Sequence, residues 1–415
     1  MSNVTHNKHP FASAYVETKI GVLPSSWQVI SLEELSDPSA PIRYGVVQIG
    51  PDTPDGIPIV PIKHINRIGS VALHRASPEI EAAYAGSRVK GGDVLISVKG
   101  TIGAVGVVPK GFEGNIAREI ARIRPTSACD ANFLALQLEA DNTQRRIDSK
   151  VVGSTRLEFS IHAVRDFLVA LPPLPEQRAI AALLMTWNTA IQKTEQLIAA
   201  KERYYSHELS RLFSEGGTTP RKCRLGDISY VPQKLPQAPK ADDVYVLVRL
   251  YCKGIEKNER QKNAPTKNGR PMLRRSAGEL LVGRQNIHNG GFGIVPQGLD
   301  GALASNAITS LSFHPDKACA EYVFFFLSRP IYYQKLERVM GGTGQKEISE
   351  SQLLAISIPL PDIRTQTAIS RYLNALRDEI NLLGQSVTAL KTQKRGLMQK
   401  LFTGQWPLPV QEETN

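Results

Sequence analysis

Leu171-Pro172-Pro173-Leu174-Pro175-Glu176-Gln177-Arg178-Ala179-Ile180-Ala181-Ala182-Leu183-Leu184 is a proline-rich stop that runs straight into the opening turns of a helix. Moved 189 positions along the chain, it meets Leu360-Pro361, Gln366, Ala368-Ile369 and Leu373 without a gap. Upstream, the same shift carries Gly153 onto Gly342, Glu158 onto Glu347 and Ser160 onto Ser349. Downstream, it carries Ile191 onto Ile380, Gln196 onto Gln385, Ala200 onto Ala389 and Leu212-Phe213 onto Leu401-Phe402. A single insertion would break so constant an offset, so chance is a poor explanation. The repeat is far longer than the roughly 20–50 residues of a solenoid unit. The chain is therefore a duplicated two-part unit, suited to an object that itself has two halves.

The helices carry the strongest periodic signal. Leu184, Ile191, Ile198, Tyr205 and Leu212 recur every seven residues, with Ile180 and Trp187 on the adjoining row. In the second copy Ile369, Leu376, Leu383, Leu390 and Leu397 do the same, beside Leu373, Ile380, Val387 and Leu401. These are two heptad seams. Thr194, Lys201 and Glu208 interrupt the first, and Lys394 interrupts the second. A helix from about Glu176 to Phe213 would be roughly 57 Å long at 1.5 Å per residue. The two helices are expected to pair antiparallel, each emerging from its own globular domain, through Leu184, Ile191, Ile198, Leu212, Leu376, Leu383, Leu390 and Leu397. The alternative is two amphipathic helices lying on their own domains.

Ahead of the first helix, in 1–152, short apolar runs at Ile57–Ile62, Asp93–Val98 and Val105–Val108 are punctuated by Gly and Pro turns, and a helical stretch follows from about Ala131 to Lys150. The third segment repeats the plan with a wandering offset. Asp243–Leu250 resembles Asp55–Ile62, Gly278–Val282 resembles Gly92–Ile96, and Gly293–Pro296 resembles Gly106–Pro109. The expected fold class is mixed α/β (α+β): globular domains at 1–152 and 216–341, and helix regions at 153–215 and 342–415. The globular parts have diverged more than the connecting parts, as expected of one fold reading two different targets.

The 415 residues suffice for more than one sizeable core. No signal peptide is evident in Met1–Lys19, and the longest apolar run, Tyr322–Leu327, is too short to cross a bilayer. A cytoplasmic protein with no membrane association is expected. Cys129, Cys223, Cys252 and Cys319 lie far apart without metal-ligand spacing, so no metal site and no disulfide are expected. Almost all of the net charge of +11 falls in 216–341, densest from Arg249 to Arg275. A basic globular segment suits a phosphate-bearing partner.

Motifs for catalysis are missing from the sequence. It has no Gly-x-x-x-x-Gly-Lys-Ser/Thr loop, no Asn/Asp-Pro-Pro-Tyr/Phe tetrapeptide of base-flipping methyltransferases and no His-Glu-x-x-His pattern. Gly290-Gly291-Phe292-Gly293 reads as a turn between strands, and Asp93 with Lys99 as a strand with polar ends rather than a nuclease centre. No catalytic residue is assigned.

The chain resembles the specificity subunit of type I restriction–modification systems over nearly its full length. The resemblance rests on Leu171–Leu184 and its second copy, on the turns Gly153-Ser154-Thr155 and Gly342-Thr343-Gly344-Gln345-Lys346-Glu347-Ile348-Ser349, and on Leu397-Met398-Gln399-Lys400-Leu401-Phe402-Thr403-Gly404. It implies two target-recognition domains, each reading one half of a bipartite DNA sequence, with the paired helices setting the gap between the halves. It also implies a subunit without chemistry or bound cofactor of its own. Two methylating subunits would use S-adenosylmethionine, and motor–nuclease subunits would use ATP and Mg. The duplication gives one chain a pseudo-two-fold plan, which suits two methylating partners.

On that reading, polar residues at strand ends and turns become the DNA-binding candidates. They are Lys63, His64, Asn66, Arg67, Lys99, Thr101, Ser154 and Arg156 in the first copy. In the second they are Arg249, Lys253, Arg274, Arg275, Arg284, Gln285, Asn286, Thr343, Gln345 and Lys346. The charge imbalance predicts that the second domain supplies most of the salt-sensitive affinity. Two other classes compete. A methyltransferase or nuclease with its own activity needs a catalytic segment for which no residues remain. A coiled-coil interaction protein unrelated to DNA leaves the basic segment and the duplicated domains unexplained.

Overall fold

The computed structural model describes residues 14–153, 157–214, 221–237, 240, 242–259, 271–341 and 346–408. The chain forms two compact units, 1–195 with 386–415, and 196–385. Unit 1 is made of two separate stretches of sequence and unit 2 of one, because each takes part of both long helices. The first long helix spans Leu174–Leu212 and the second Ile363–Leu401.

Unit 1 is built on an antiparallel sheet in the order Arg43–Tyr44, Ile120–Ile123, Val94–Ser97, Val105–Val107. All four residues of Val94–Ser97 are buried, so this central strand reads as one continuous apolar run instead of alternating. A second sheet runs in the order Arg75–Ala76, Ile57–Val60, Glu113–Ile116, Val89–Lys90, with Ile57–Val60 parallel to Glu113–Ile116. The helical stretch expected from Ala131 to Lys150 is two helices, Ala131–Glu139 and Asp141–Asp148. Ala140 is extended (φ −64°, ψ 140°), and Gln144 Nε2 donates to the freed Leu138 carbonyl at 2.6 Å, so a side chain replaces the next helical hydrogen bond.

Unit 2 repeats the order: Ser229–Tyr230, Ile308–Phe313, Leu280–Gly283, Phe292–Ile294. Its second layer is the hairpin of Val246–Val248 with Ile255–Lys257, and the pair of Met272–Arg274 with Leu303–Ser305. A parallel bridge between Tyr245 and Leu303 joins these two pieces. The strand correspondences drawn between the copies therefore hold in the topology.

One difference between the units is instructive. In unit 1 a buried guanidinium from Arg122 donates to the Arg88 and Pro41 carbonyls at 3.0 and 2.7 Å. In unit 2 the residue at the same register, Ser310, is small, and Arg275 from the other layer fills in, donating to Ser310 Oγ, the Ser305 carbonyl and the Ile308 carbonyl. Each unit thus keeps one buried arginine satisfied largely by backbone oxygen, supplied from a different strand.

The repeat offset continues into the side chains. Gln177, 1% exposed, accepts from the Asp130 amide at 2.8 Å and donates to the Ala128 and Pro172 carbonyls at 3.0 and 2.8 Å. Gln366, 0% exposed, accepts from the Cys319 amide at 2.9 Å and donates to the Lys317 and Pro361 carbonyls at 3.1 and 2.8 Å. Every member of the second knot lies 189 residues after its counterpart. Each knot ties the first turn of a long helix to the start of the preceding domain helix and to the proline stop. Just before each stop, Leu168–Leu171 pairs with Gln28–Ser31 in unit 1, and Ser357–Pro359 pairs with Lys222–Arg224 in unit 2.

The long helices pack antiparallel within each unit. In unit 1, Ile180, Ala181 and Leu184 share a core with Met398, Leu401 and Phe402, and Lys391 pairs with Glu195 at 2.7 Å. In unit 2, Leu209 and Phe213 share a core with Leu373, and Lys201 pairs with Glu379 at 2.7 Å. The buried residues alternate between two heptad rows: Gln177, Leu184 and Ile191 with Ile180 and Glu208, then Leu373, Val387 and Leu401. Of the expected pairing residues, Leu184 and Ile191 are buried, while Ile198, Leu212, Leu376, Leu383, Leu390 and Leu397 are half-buried. On the second helix the row beside the expected one goes deepest. Lys394 occupies that deep row, and burial lowers its pKa. Among the described residues, no helix is long and apolar enough to cross a membrane.

Candidate nucleic-acid interface

In unit 1 the chain leaves Ile57–Val60 through the short helix Ile62–His64, so Lys63, Asn66 and Arg67 are exposed and His64 is half-buried. This loop lies against the turn that leaves Val94–Ser97. A Cβ on Gly106 would sit 1.9 Å from the Ile65 carbonyl, and one on Gly100 would sit 3.5 Å from the Ile62 side chain. Lys99 and Thr101 occupy that turn. A third loop closes the group, because the Phe159 amide donates to the Val98 carbonyl at 2.9 Å and Lys99 bridges Glu158. Three loops therefore converge on one rim, and Lys63, His64, Asn66, Arg67, Lys99 and Thr101 all lie on it. Ser154 and Arg156, in the third loop, fall outside the described residues.

Lys99 is the most constrained of these. Its ammonium pairs with Glu158 at 3.3 Å and lies 4.6 Å from the centre of the Tyr44 ring. Glu158 also accepts a hydrogen bond from the Tyr44 hydroxyl, and burial together with that bond pushes the phenol up to about 12. Arg118, beside Glu119 whose carbonyl accepts from the Val98 amide, adds a further exposed cation next to this turn.

Unit 2 builds the same rim from equivalent pieces. The hairpin turn after Val246–Val248 carries Arg249 and Lys253, both exposed. It lies against the turn after Leu280–Gly283, which carries Arg284, Gln285 and Asn286. The Tyr251 and Cys252 amides donate to the Asn289 and Gly290 carbonyls, each at 2.8 Å. Gly290 (φ +67°) permits this approach, since a Cβ there would fall 2.9 Å from the Cys252 nitrogen. The third loop joins through the Ile348 amide, which donates to the Arg284 carbonyl at 3.1 Å. Lys346 is exposed on it and pairs with Glu337 at 2.9 Å, while Thr343 and Gln345 fall outside the described residues. Lys335 and Arg338 share with Lys346 a cavity of about 390 Å³. They escaped the sequence reading, although they stand three residues apart just before the third loop, one helical turn's spacing.

Two candidates leave the rim. Arg275 is 2% exposed and held by the internal acceptors described above, so it faces the interior. Arg274 donates to the Asp243 carboxylate at 3.0 Å and to the Gly301 carbonyl at 2.9 Å, partners that belong to none of the three loops. The Arg275 guanidinium serves the fold, whereas Arg274 is partly exposed and tied to Asp243.

The unit 2 hairpin turn has an unusual backbone. Tyr251 (φ 59°) and Cys252 (φ 56°) are both left-handed, in a turn closed by the Lys253 amide on the Leu250 carbonyl. Both central residues with φ > 0 define a type I′ turn, usually filled by Asn-Gly. A non-glycine residue held there costs of order 1–3 kcal/mol.

A pseudo-repeat of α/β units, each presenting a three-loop basic rim and joined through paired helices, defines a duplicated recognition scaffold. The family model for the type I restriction modification DNA specificity domain matches residues 52–203 and 277–392, more than half of the chain in two segments. The chain belongs to that family, and it is a DNA-recognition, specificity-type subunit. It is 28% identical over 197 residues to the EcoBI specificity subunit of Escherichia coli, a match that spans 40% of that protein's length. It is 23% identical over 416 residues to the putative MjaX specificity subunit of Methanocaldococcus jannaschii, covering 94% of this chain and 96% of that one. Among solved structures, the S subunit of the Type-I restriction-modification system of M. genitalium shares the fold with a TM-score of 0.59 at 13% identity, covering 91% of this chain and 96% of that one.

Proposed function

We propose that each unit reads one half of a bipartite duplex DNA target and that the paired helices set the unread gap between the halves. The observation that carries this reading is the repetition of the three-loop basic rim on two diverged α/β units. A rim of exposed lysine and arginine on turns held by packed strands gives phosphate affinity, and polar side chains among them supply base contacts. Since the two rims share architecture and differ in side chains, the two half-sites differ in sequence. Half-site spacing is then a geometric property of the protein.

The chain itself performs no chemistry and binds no cofactor on this reading. It brings two methylating subunits, which use S-adenosylmethionine, and motor–nuclease subunits, which use ATP and Mg, to the target in the cytoplasm. The test is to exchange rim side chains in one unit only. Replacing the rim residues Asn66 and Thr101 by Ala in the assembled methylating complex alters recognition at one half-site and leaves the other intact. Loss of discrimination at both halves together, or at neither, contradicts independent reading by two units.

A further inference from the structure

The exposed tyrosine at the tip of the unit 2 hairpin has a backbone and a setting that the fold alone does not require. Tyr251 is 68% exposed. Its neighbour Cys252 turns inward, where its Sγ lies 3.9 Å from the Ser328 carbonyl and burial pushes the thiol up to about 11. The two residues thus divide the turn, Cys252 as anchor and Tyr251 as the displayed group. Two backbone hydrogen bonds to Asn289 and Gly290, and the missing Cβ of Gly290, lock the turn onto the neighbouring loop. A ring presented from so fixed a turn loses little conformational freedom on making a contact. Among the described residues, its phenol has no hydrogen-bond partner within the chain.

The surroundings indicate the partner. Arg249, paired with Glu256 at 3.4 Å, and Lys253 stand two residues to either side of Tyr251 in the same turn, and the neighbouring loop carries Arg284, Gln285 and Asn286. A large aromatic among cations fits a nucleic-acid groove, where the cations meet phosphates and the ring meets the apolar edge of a base. Left-handed backbone at two non-glycine residues is the kind of strain that persists where a side chain is needed. At the equivalent place unit 1 has the loop Lys63–Arg67, with no Phe, Tyr or Trp.

Resting on the DNA-recognition reading above, we propose that Tyr251 is a specificity-determining residue of the second unit and contacts a base edge of the second half-site.

The experiment uses the full chain co-purified with its methylating subunit. The target is taken by selection from a random duplex library. Affinities are then measured for the target, for single base-pair changes across it, and for random duplex over a range of salt. Tyr251→Ala and Tyr251→Gly are each expected to lose about tenfold or more of the target-to-random ratio. The loss is confined to one base-pair position of one half-site, with random affinity and its salt slope unchanged. Tyr251→Gly also raises the melting temperature, because glycine adopts this backbone without penalty. An unchanged ratio in both variants overturns the proposal. So does a folded Tyr251→Gly chain that no longer co-purifies with the methylating subunit, which would make the ring a protein-docking group. A wild-type complex that fails to select any sequence would overturn the DNA reading itself, a result distinct from either.

Discussion

Gln177→Met removes the polar end of a fully buried side chain and keeps its length and helix propensity. Three backbone groups lose their partner: the Asp130 amide, the Ala128 carbonyl and the Pro172 carbonyl. Ala128 is exposed, so water replaces the glutamine there at little cost. Pro172 is buried and Asp130 half-buried, so these two groups are stranded. Each buried unsatisfied group costs about 1–3 kcal/mol, and because Asp130 is only half-buried its share lies at the low end, so the substitution should cost about 2–4 kcal/mol. The loss is local, because the knot joins the start of the long helix to the start of Ala131–Glu139. Amide hydrogen exchange therefore reads it directly: protection of the Asp130 amide falls by about 30- to 700-fold, taking 1.4 kcal/mol as tenfold. Gln366→Met should do the same at the Cys319 amide, and with no shared partners the two effects should add. A cost below about 1 kcal/mol, or unchanged exchange at Asp130, would refute the structural role of the knot.

Other outcomes follow from the same geometry. Leu184→Ala, at a fully buried seam position, should destabilise unit 1 by about 2–5 kcal/mol in urea titration, and Leu376→Ala, half-buried, should cost clearly less in unit 2. Glu208 is held down to about 2, chiefly by Arg211, so its contribution is complete above the ordinary carboxylate range and is lost as pH falls from about 4.5 toward 2. In Glu208→Gln the acid limb of thermal stability should flatten over that window. Neutralising Arg249, Lys253 and Lys346 together should lower the log–log salt slope for random duplex by up to about 2.7, at roughly 0.9 per phosphate contact. Neutralising Lys63, Arg67 and Lys99 should lower it less, because almost all of the chain's excess positive charge lies in 216–341. Equal changes would dismiss the idea that the second unit carries most of the non-specific affinity.

The duplication, the strand correspondences and the antiparallel helices were legible because periodicity and a constant offset survive without knowledge of contacts. The glutamine knots were also visible as a register match, Gln177 on Gln366, but a lone glutamine at a helix start reads as surface, and only the fold shows it buried. Charge density misled at Arg275, which is 2% exposed. Sequence cannot distinguish a guanidinium that caps internal carbonyls from one that faces solvent, and the small Ser310 that makes room for Arg275 lies on a distant strand. Tyr251 gave no signal, because the turn it occupies lacks the Asn-Gly pair by which such turns are recognised. Lys63, Arg67 and Lys253 read from the sequence as turn cations, yet the gathering of loops into a rim within each unit depends on close approaches at Gly106 and Gly290 that only the folded chain reveals.

The most direct measurement is to co-express the chain with its host's methylating subunit and map the modified bases by sequencing the DNA. The expected result is a two-part motif with a fixed unread gap, present only when the chain is present. A motif without a gap, or methylation that does not depend on this chain, would contradict the reading of two half-sites by two units.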